Sequence, residues 1–205
     1  MGLYANKIFP LLLDISQPEE MVEQRLLALR TVEGNVLEIG IGSGINIPYY
    51  PDNIKTLTSV DPSDGMRSRA MRRAGVRGLA IEWLRGRGEQ LPCEDGSFDS
   101  VVLTDVLCTV ADVDTVLGEA YRVLKPGGKL HFLEHGLARE EKIRKWQTRL
   151  NGLNRTTACG CELTRDIEKH IRNSSFLIDE LVWVPPFSGM KVLYTHIRGI
   201  ARRPA

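Results

Sequence analysis

In "VLEIGIGSGINIPYYP", residues 36–51, an apolar run meets Glu38, and glycine then takes every second position at Gly40, Gly42 and Gly44. Glycines placed after a strand let backbone come close to a ligand. A carboxylate two residues ahead of them would repel a pyrophosphate and suits a ligand with a cationic amino group. The dinucleotide fingerprint G-x-G-x-x-G is not met, because the third glycine falls one residue early and position 45 is Ile. A phosphate loop is excluded too, since no Gly-Lys-Ser/Thr follows. Asp61 lies 17 residues beyond Gly44, at the end of the next apolar run. A carboxylate there can accept hydrogen bonds from both hydroxyls of a ribose, although a strand-end Asp also serves as a helix cap. His135 closes the later run "KLHFLEH" at a rim where a second reactant would enter. It is a candidate base or positioning group, with Glu134 beside it to orient it.

These residues need strands that end at a common edge. "EGNVLEIGIG" reads as the first strand, with a helix expected from near Ser43. "IKTLTSVD", "LAIEWLRG", "SFDSVVLTDVL" and "KLHFLEHG" supply further strands. "SDGMRSRAMRRAG" reads as a helix stopped by Gly75, and "DVDTVLGEAYRVL" as an amphipathic helix stopped by "KPGG". Before them, "QPEEMVEQRLLALR" reads as a helix with Pro18 in its first turn and an apolar face of Met21, Leu26, Leu27 and Leu29. Residues 137–173 form a polar helical stretch interrupted by "NRTTACGCELT". "FLIDELVWVPP" and "KVLYTHIRGIARRP" close the chain as two strands without a helix between them. Strands alternating with helices predict an α/β fold, a mostly parallel sheet covered on both faces. The short last connection predicts an antiparallel strand in an edge hairpin.

The chain has 205 residues, 42% apolar and 26% charged, with a net charge of +1. That composition suits one soluble globular domain and gives no global attraction to nucleic acid. Arginine is concentrated in residues 67–87, which reads first as a solvated helix face and second as a patch for an anionic substrate or lipid headgroups. No signal peptide is evident and no apolar run reaches the roughly 18 residues of a membrane span, so a cytoplasmic location with free thiols is expected. The cysteines Cys93, Cys108, Cys159 and Cys161 lack zinc spacing, and no metal is expected.

Taken together, E-x-G-x-G-x-G at 38–44, "VDPS" with Asp61, "GEQLPCEDGSFD" at 88–99 and "RVLKPGGKLHFLEH" at 122–135 resemble the class I S-adenosylmethionine-dependent methyltransferases. The resemblance implies a Rossmann-like seven-stranded sheet with an antiparallel last strand, and S-adenosyl-L-methionine as cofactor. It implies that Glu38, Gly40, Gly42 and Gly44 hold the methionine end. Asp61 would bind the ribose and Pro62 would pack on the adenine. Gly88, beside Glu89, would offer its N–H to the ring. Thr104 and Asp105 would sit below the sulfonium. The organisation expected is one domain over 1–205: a helical lid at 1–30, a cofactor core at 34–135, a substrate-side segment at 136–175 and a hairpin at 176–205.

Base methylation is disfavoured, because "TDVLCTV" lacks the Asp/Asn-Pro-Pro-aromatic motif at the end of the fourth strand. "VLC" at 106–108, "FLEH" at 132–135 and "GCELTR" at 160–165 are similar to UbiE-like enzymes, and among them to methyltransferase-like thiol S-methyltransferases. This implies a small, fairly apolar acceptor. A thiol leads, with a phospholipid amine or a quinone-type carbon as alternatives, and a non-catalytic cofactor-binding module as the rival of another class. Cys108 is a candidate substrate contact, though a small buried apolar role is commoner for such a residue. Cys159 and Cys161 also raise an arsenic-methylation reading, disfavoured because those enzymes carry more cysteines at other positions. Residues 1–17, including Tyr4 as a substrate contact, are expected to fold over the cofactor and form the acceptor pocket with residues 137–165. Peripheral membrane contact is the alternative. The sequence sets no oligomeric state.

Overall fold

The computed structural model describes residues 18–185 and 191–205. Its strands are β1 (Gly34–Ile39), β2 (Ile54–Asp61), β3 (Ile81–Arg85), β4 (Phe98–Thr104), β5 (Leu124–His135), β6 (Leu177–Val184) and β7 (His196–Arg202). Its α-helices are α1 (Glu19–Leu29), α2 (Asp64–Arg77), α3 (Val113–Val123), α4 (Glu141–Thr157) and α5 (Ile167–Asn173). The seven strands form one sheet in the order β3-β2-β1-β4-β5-β7-β6. The first five pair in parallel, and β7 runs antiparallel to both β5 and β6. This is the Rossmann-like methyltransferase sheet that the motif order implies.

The two-residue period of the strands sets which side chains reach which side. Leu37 and Ile39 of β1, Val101 and Leu103 of β4, and Leu130 and Phe132 of β5 enter one core. That core is closed by Val113, Val116, Leu117 and Ala120 of α3 and by Ile167 and Ile171 of α5. Val36 and Val102 point the other way, to Leu29 of α1, Ala70 and Ala74 of α2, and Tyr50. By the same alternation Glu38, Thr104, His131 and His135 belong to the α1 and α2 side, and Glu134 to the α3 side.

Several local expectations change. No α-helix follows β1; the glycine turn leads only into a 3₁₀ turn at Ile47–Tyr49. Three left-handed glycines followed by Pro48 and Pro51 leave too few regular residues to nucleate a helix. α2 passes through Gly75 and ends at Gly78, whose φ of 71° lets its N–H reach the last carbonyls. β4 stops at Thr104, and β5 begins at Leu124 and carries "KPGG" within it. Pro18 is the N-cap of α1 rather than part of its first turn. On α1, Met21 and Leu29 are buried as expected, but Leu26 is 48% exposed and Arg25 is buried in its place. The arginine-rich helix is tied to the glycine segment: Arg73 donates to Ser43 O at 2.6 Å and Arg77 to Tyr50 O at 3.1 Å.

Among the described residues no helix is long and apolar enough to cross a membrane. Residues 1–17 of the expected lid, Tyr4 among them, lie outside the described residues; residues 18–30 carry α1, whose Met21 and Ala28 pack with Leu133 of β5.

Gly199 lets β7 lie flat beside β5. A Cβ there would overlap Phe132 of β5 and the Glu180 carbonyl of β6. Gly199→Ala is therefore expected to cost about 1–3 kcal/mol, read as a lower urea midpoint at unchanged slope.

Candidate active site

The carboxyl ends of β1, β2, β4 and β5 meet at one edge, where ligands bind in open α/β sheets. The turn after β1 forms the floor of this edge. Gly40, Gly42 and Gly44 all adopt left-handed φ values, of 72°, 55° and 80°. A Cβ on Gly44 would lie 2.9 Å from Ala70 Cα, so that position is closed by packing against α2. A Cβ on Gly42 would meet nothing nearer than Met66 Sδ at 3.4 Å. The middle of the turn therefore presents bare backbone to open space. Asp61, at the end of β2, braces it: one carboxylate oxygen accepts from Gly42 N–H at 2.9 Å and the other from Ser63 N–H at 2.7 Å. Burial pushes the Asp61 carboxyl up, against these two bonds. A carboxylate has roughly four lone-pair sites, so two remain for further donors.

Glu38 lies beneath the turn, 1% exposed. It accepts from Asn46 Nδ2 at 2.7 Å and from Tyr50 OH at 2.9 Å. Asn46 Nδ2 also donates to Thr104 Oγ1 at 2.8 Å, and Asn46 Oδ1 accepts from Arg25 Nη1 at 2.9 Å. The glycine loop is thus fastened to β1, β4 and α1 through one amide. Burial raises the Glu38 carboxyl to about 7, against the bonds from Tyr50 and Asn46.

That shift gives a pH dependence of stability. An unfolded Glu titrates at its ordinary 4.5, below the folded value. Between the two the folded chain holds the extra proton, so stability falls as pH rises through this window. The loss levels off at about 3 kcal/mol above pH 7. Glu38→Gln, neutral at every pH, is expected to flatten this fall in a profile of Tm against pH. An unchanged slope would assign it instead to Glu134, whose carboxyl burial also raises.

At the end of β4, Asp105 takes φ 56°, unusual for a residue with a side chain. Its oxygens accept from Arg25 Nη2 at 2.8 Å and contact His196 Nε2 at 3.1 Å. Partial burial would raise its carboxyl, but the His196 bond and the Arg25 guanidinium hold it below the usual range. The sheet register sets His196 opposite His135, and their rings meet edge to face at 5.2 Å. His135 is 4% exposed; its Nδ1 lies 3.9 Å from Cys161 Sγ, and its Nε2 is buried with no partner among the described residues.

Glu134 does not orient His135. Neighbours on a strand point to opposite faces, and its two oxygens accept from the N–H groups of Val106 and Leu107, each at 3.0 Å. Its work is to fix the loop that carries Cys108. The "VLC" and "GCELTR" segments prove to be one contact. Glu162 N–H donates to Cys108 O at 2.9 Å, and Arg165 Nη1 donates to the carbonyls of Leu107 and Val110, each at 2.6 Å.

On the far side of the edge, Gly88 is buried where a Cβ would meet Ile39 and Val116, and Glu89 accepts from Ala111 N–H at 2.9 Å. Beside them is a recess of about 560 Å³ lined by Gly86, Arg87, Glu89 and Leu91. Pro62 is exposed at the lip of β2. A larger depression of about 690 Å³ lies at the amino ends of β2 and β3; Tyr50 and Arg77 line it, and no other residue of the site does. The structure adds Arg25, Asn46, Tyr50, Cys161 and His196 to the candidates. Asn46 and Tyr50 stand close enough to the glycines to have been suspected, whereas Arg25 and His196 carry no local signal.

The donor set fits a nucleoside with a charged amino-acid tail. It offers an open backbone turn, the Asp61 carboxylate with acceptor capacity to spare, and a buried Ser63 hydroxyl without a partner among the described residues. S-adenosylmethionine has that chemistry. Comparisons with known proteins agree. Residues 37–132 match the methyltransferase domain family. Thiol S-methyltransferase TMT1B of Rattus norvegicus is 37% identical over 82% of this chain and 70% of its own length. Demethylmenaquinone methyltransferase of Thermus thermophilus is 34% identical over 53% of this chain and 50% of its own. A geranyl diphosphate methyltransferase solved in complex with SAM superposes with a TM-score of 0.70 at 16% identity, covering 89% of this chain and 84% of that one. Sheet, turn and relatives lead to one family, and the chain belongs to the S-adenosylmethionine-dependent methyltransferases, alongside the thiol S-methyltransferases.

Proposed function

We propose that the chain transfers the methyl group to the sulfur of a small, neutral, fairly apolar thiol. The observation that carries this reading is the rim beyond β4 and β5. Asp105, the carboxylate there, is already engaged by Arg25 and His196. An acceptor with a cationic amine or a phosphate therefore meets no spare counter-charge among these groups. What remains is Cys108, Cys161 and the unpartnered Nε2 of His135, a setting suited to a sulfur nucleophile. The TMT1B relative, whose name states thiol S-methylation, supports the same acceptor.

The bound cofactor supplies an electrophilic methyl on a cationic sulfur. The protein's part is alignment, which lowers such barriers by roughly 7–11 kcal/mol in the best cases. Asp61 holds the ribose hydroxyls, and the Gly42 backbone admits the amino-acid tail. Glu38 acts through Asn46, keeping the turn and Thr104 in register. Pro62 and Gly88 border the adenine. Thr104 and Asp105 present oxygen toward the sulfonium side. His135 takes the acceptor's proton at Nε2, raising the thiolate fraction of a group whose free pKa is about 8.5. Cys108 contacts the acceptor, and Glu134 holds the loop that carries it.

The test is a panel of alkyl and aryl thiols, a hydroquinone and phosphatidylethanolamine with labelled S-adenosylmethionine. A thioether formed one-for-one with S-adenosylhomocysteine supports the reading. Label on hydroquinone carbon with none on thiols would replace it with quinone-type C-methylation. Tight S-adenosylhomocysteine binding with no product from any acceptor would favour the non-catalytic module.

A further inference from the structure

The cysteine pair at the rim has a chemistry that methyl transfer does not use. Cys108 and Cys161 are 53 positions apart, yet their segments are joined by the Glu162 N–H bond to Cys108 O. Cys161 directly precedes Glu162, so this bond seats it beside Cys108, and each thiol shifts the titration of the other. They differ in access, Cys108 being 2% exposed and Cys161 half-buried. They differ in character too. Cys108 beside it and then His135 Nδ1, 3.9 Å away, draw the Cys161 thiol below its usual range. Cys161 beside it, and then burial, push the Cys108 thiol up. Asp105 and Glu134 also face this pair and oppose negative charge on Cys108. An accessible thiolate backed by a buried thiol is the arrangement of a redox-active dithiol.

We propose that Cys161 and Cys108 are a reversible dithiol–disulfide couple that closes the acceptor rim when small disulfides accumulate. The Cys161 thiolate attacks one sulfur of a disulfide RSSR, forming a Cys161–SR mixed disulfide and releasing RS⁻. Cys108 then gives up its proton and attacks Cys161 Sγ. The second RS⁻ leaves, taking up the proton. The net change is one protein thiolate, one protein thiol and RSSR giving one protein disulfide, RS⁻ and RSH, with the small disulfide as oxidant. Closure draws residues 158–162 toward the loop after β4 and takes His135 Nδ1 away from its thiolate. The couple does not depend on which acceptor the enzyme methylates.

The experiment is incubation of the full chain with oxidised glutathione, followed by alkylation of remaining thiols and peptide mapping. The expected product is an intramolecular Cys108–Cys161 link, lighter by two hydrogens. It should form faster than glutathionylation of Cys159, which is the more exposed thiol but lacks these partners. Tris(2-carboxyethyl)phosphine, a reductant that is not itself a thiol, should reverse it. With whichever acceptor the panel identifies, turnover should fall by about tenfold or more on oxidation and return on reduction, since small misplacements at a reacting centre cost rates of that order. Cys159→Ser should change neither the link nor basal turnover. Cys161→Ser should abolish the link and the sensitivity to oxidation. A stable Cys161–glutathione adduct that never closes, modification led by Cys159, or a mapped link that leaves turnover intact would each overturn the proposal. If no acceptor is turned over, the mapped link alone decides the redox couple, and the failure belongs to the thiol-acceptor reading.

Discussion

Asp61→Ala should weaken S-adenosylhomocysteine binding by about a hundredfold or more in calorimetry while leaving the fold intact. The magnitude follows from losing hydrogen bonds from ribose hydroxyls to a charged acceptor, each worth roughly 1.5–3 kcal/mol. A second loss adds to it. The same carboxylate accepts from Gly42 and Ser63 N–H, so its removal frees the turn that must stay open for the cofactor's tail. The fold should tolerate the change because burial raises the Asp61 carboxyl. A group whose charged form is disfavoured by its surroundings adds little to folding, and its value lies in what it binds. Asp61→Asn keeps an oxygen for one backbone N–H and should fall between wild type and alanine. An alanine variant that binds within about threefold of wild type, with an unchanged Tm, would remove Asp61 from the ribose site and leave it as a brace of the turn.

The sheet was legible because its signals are local. Glycine spacing, strand-end acids and a helix-free last connection all lie within short windows, and each constrains topology by itself. The site was legible only where it coincides with those windows. Glu38, Gly42 and Asp61 belong to consecutive motifs, and the structure brings them together at the floor of the edge. The upper half is built from contacts across 50 residues or more. Arg25 reaches Asp105 across 80 positions, His196 opposes His135 through β-register, and Cys161 meets Cys108 from a different segment. No periodicity encodes such pairs, because each side chain is chosen by a partner set only after the chain folds. Arg25 illustrates the difficulty. In an amphipathic reading of α1 it belongs to the solvent, yet a buried guanidinium is acceptable once Asn46 and Asp105 receive it. Glu134 failed for a different reason: adjacency in sequence suggested it would serve His135, whereas alternation along β5 sends the two side chains to opposite faces.

His135→Ala should lower turnover of a thiol acceptor by about 10²–10³-fold near neutral pH, the range expected for a lost general base. The pH profile separates this role from a structural one. Without a base, only acceptor already ionised in solution reacts, so turnover should climb in proportion to the thiolate fraction until the acceptor's own pKa, about 8.5, is passed. With His135 as base the wild type should rise less steeply, because the proton would pass to its Nε2 within the site. A merely structural loss would lower both limbs alike and leave the two profiles parallel. Cofactor affinity supplies a second separation. His135 touches Cys161 and His196 but none of the groups that brace the glycine turn, so S-adenosylhomocysteine should bind the variant as it binds the wild type. His135→Gln retains a polar side chain near Cys161 without a proton-accepting nitrogen and should behave as alanine does. Turnover equal to wild type across about pH 6 to 9 would assign deprotonation to the solvent and leave His135 as a partner of His196 in the sheet.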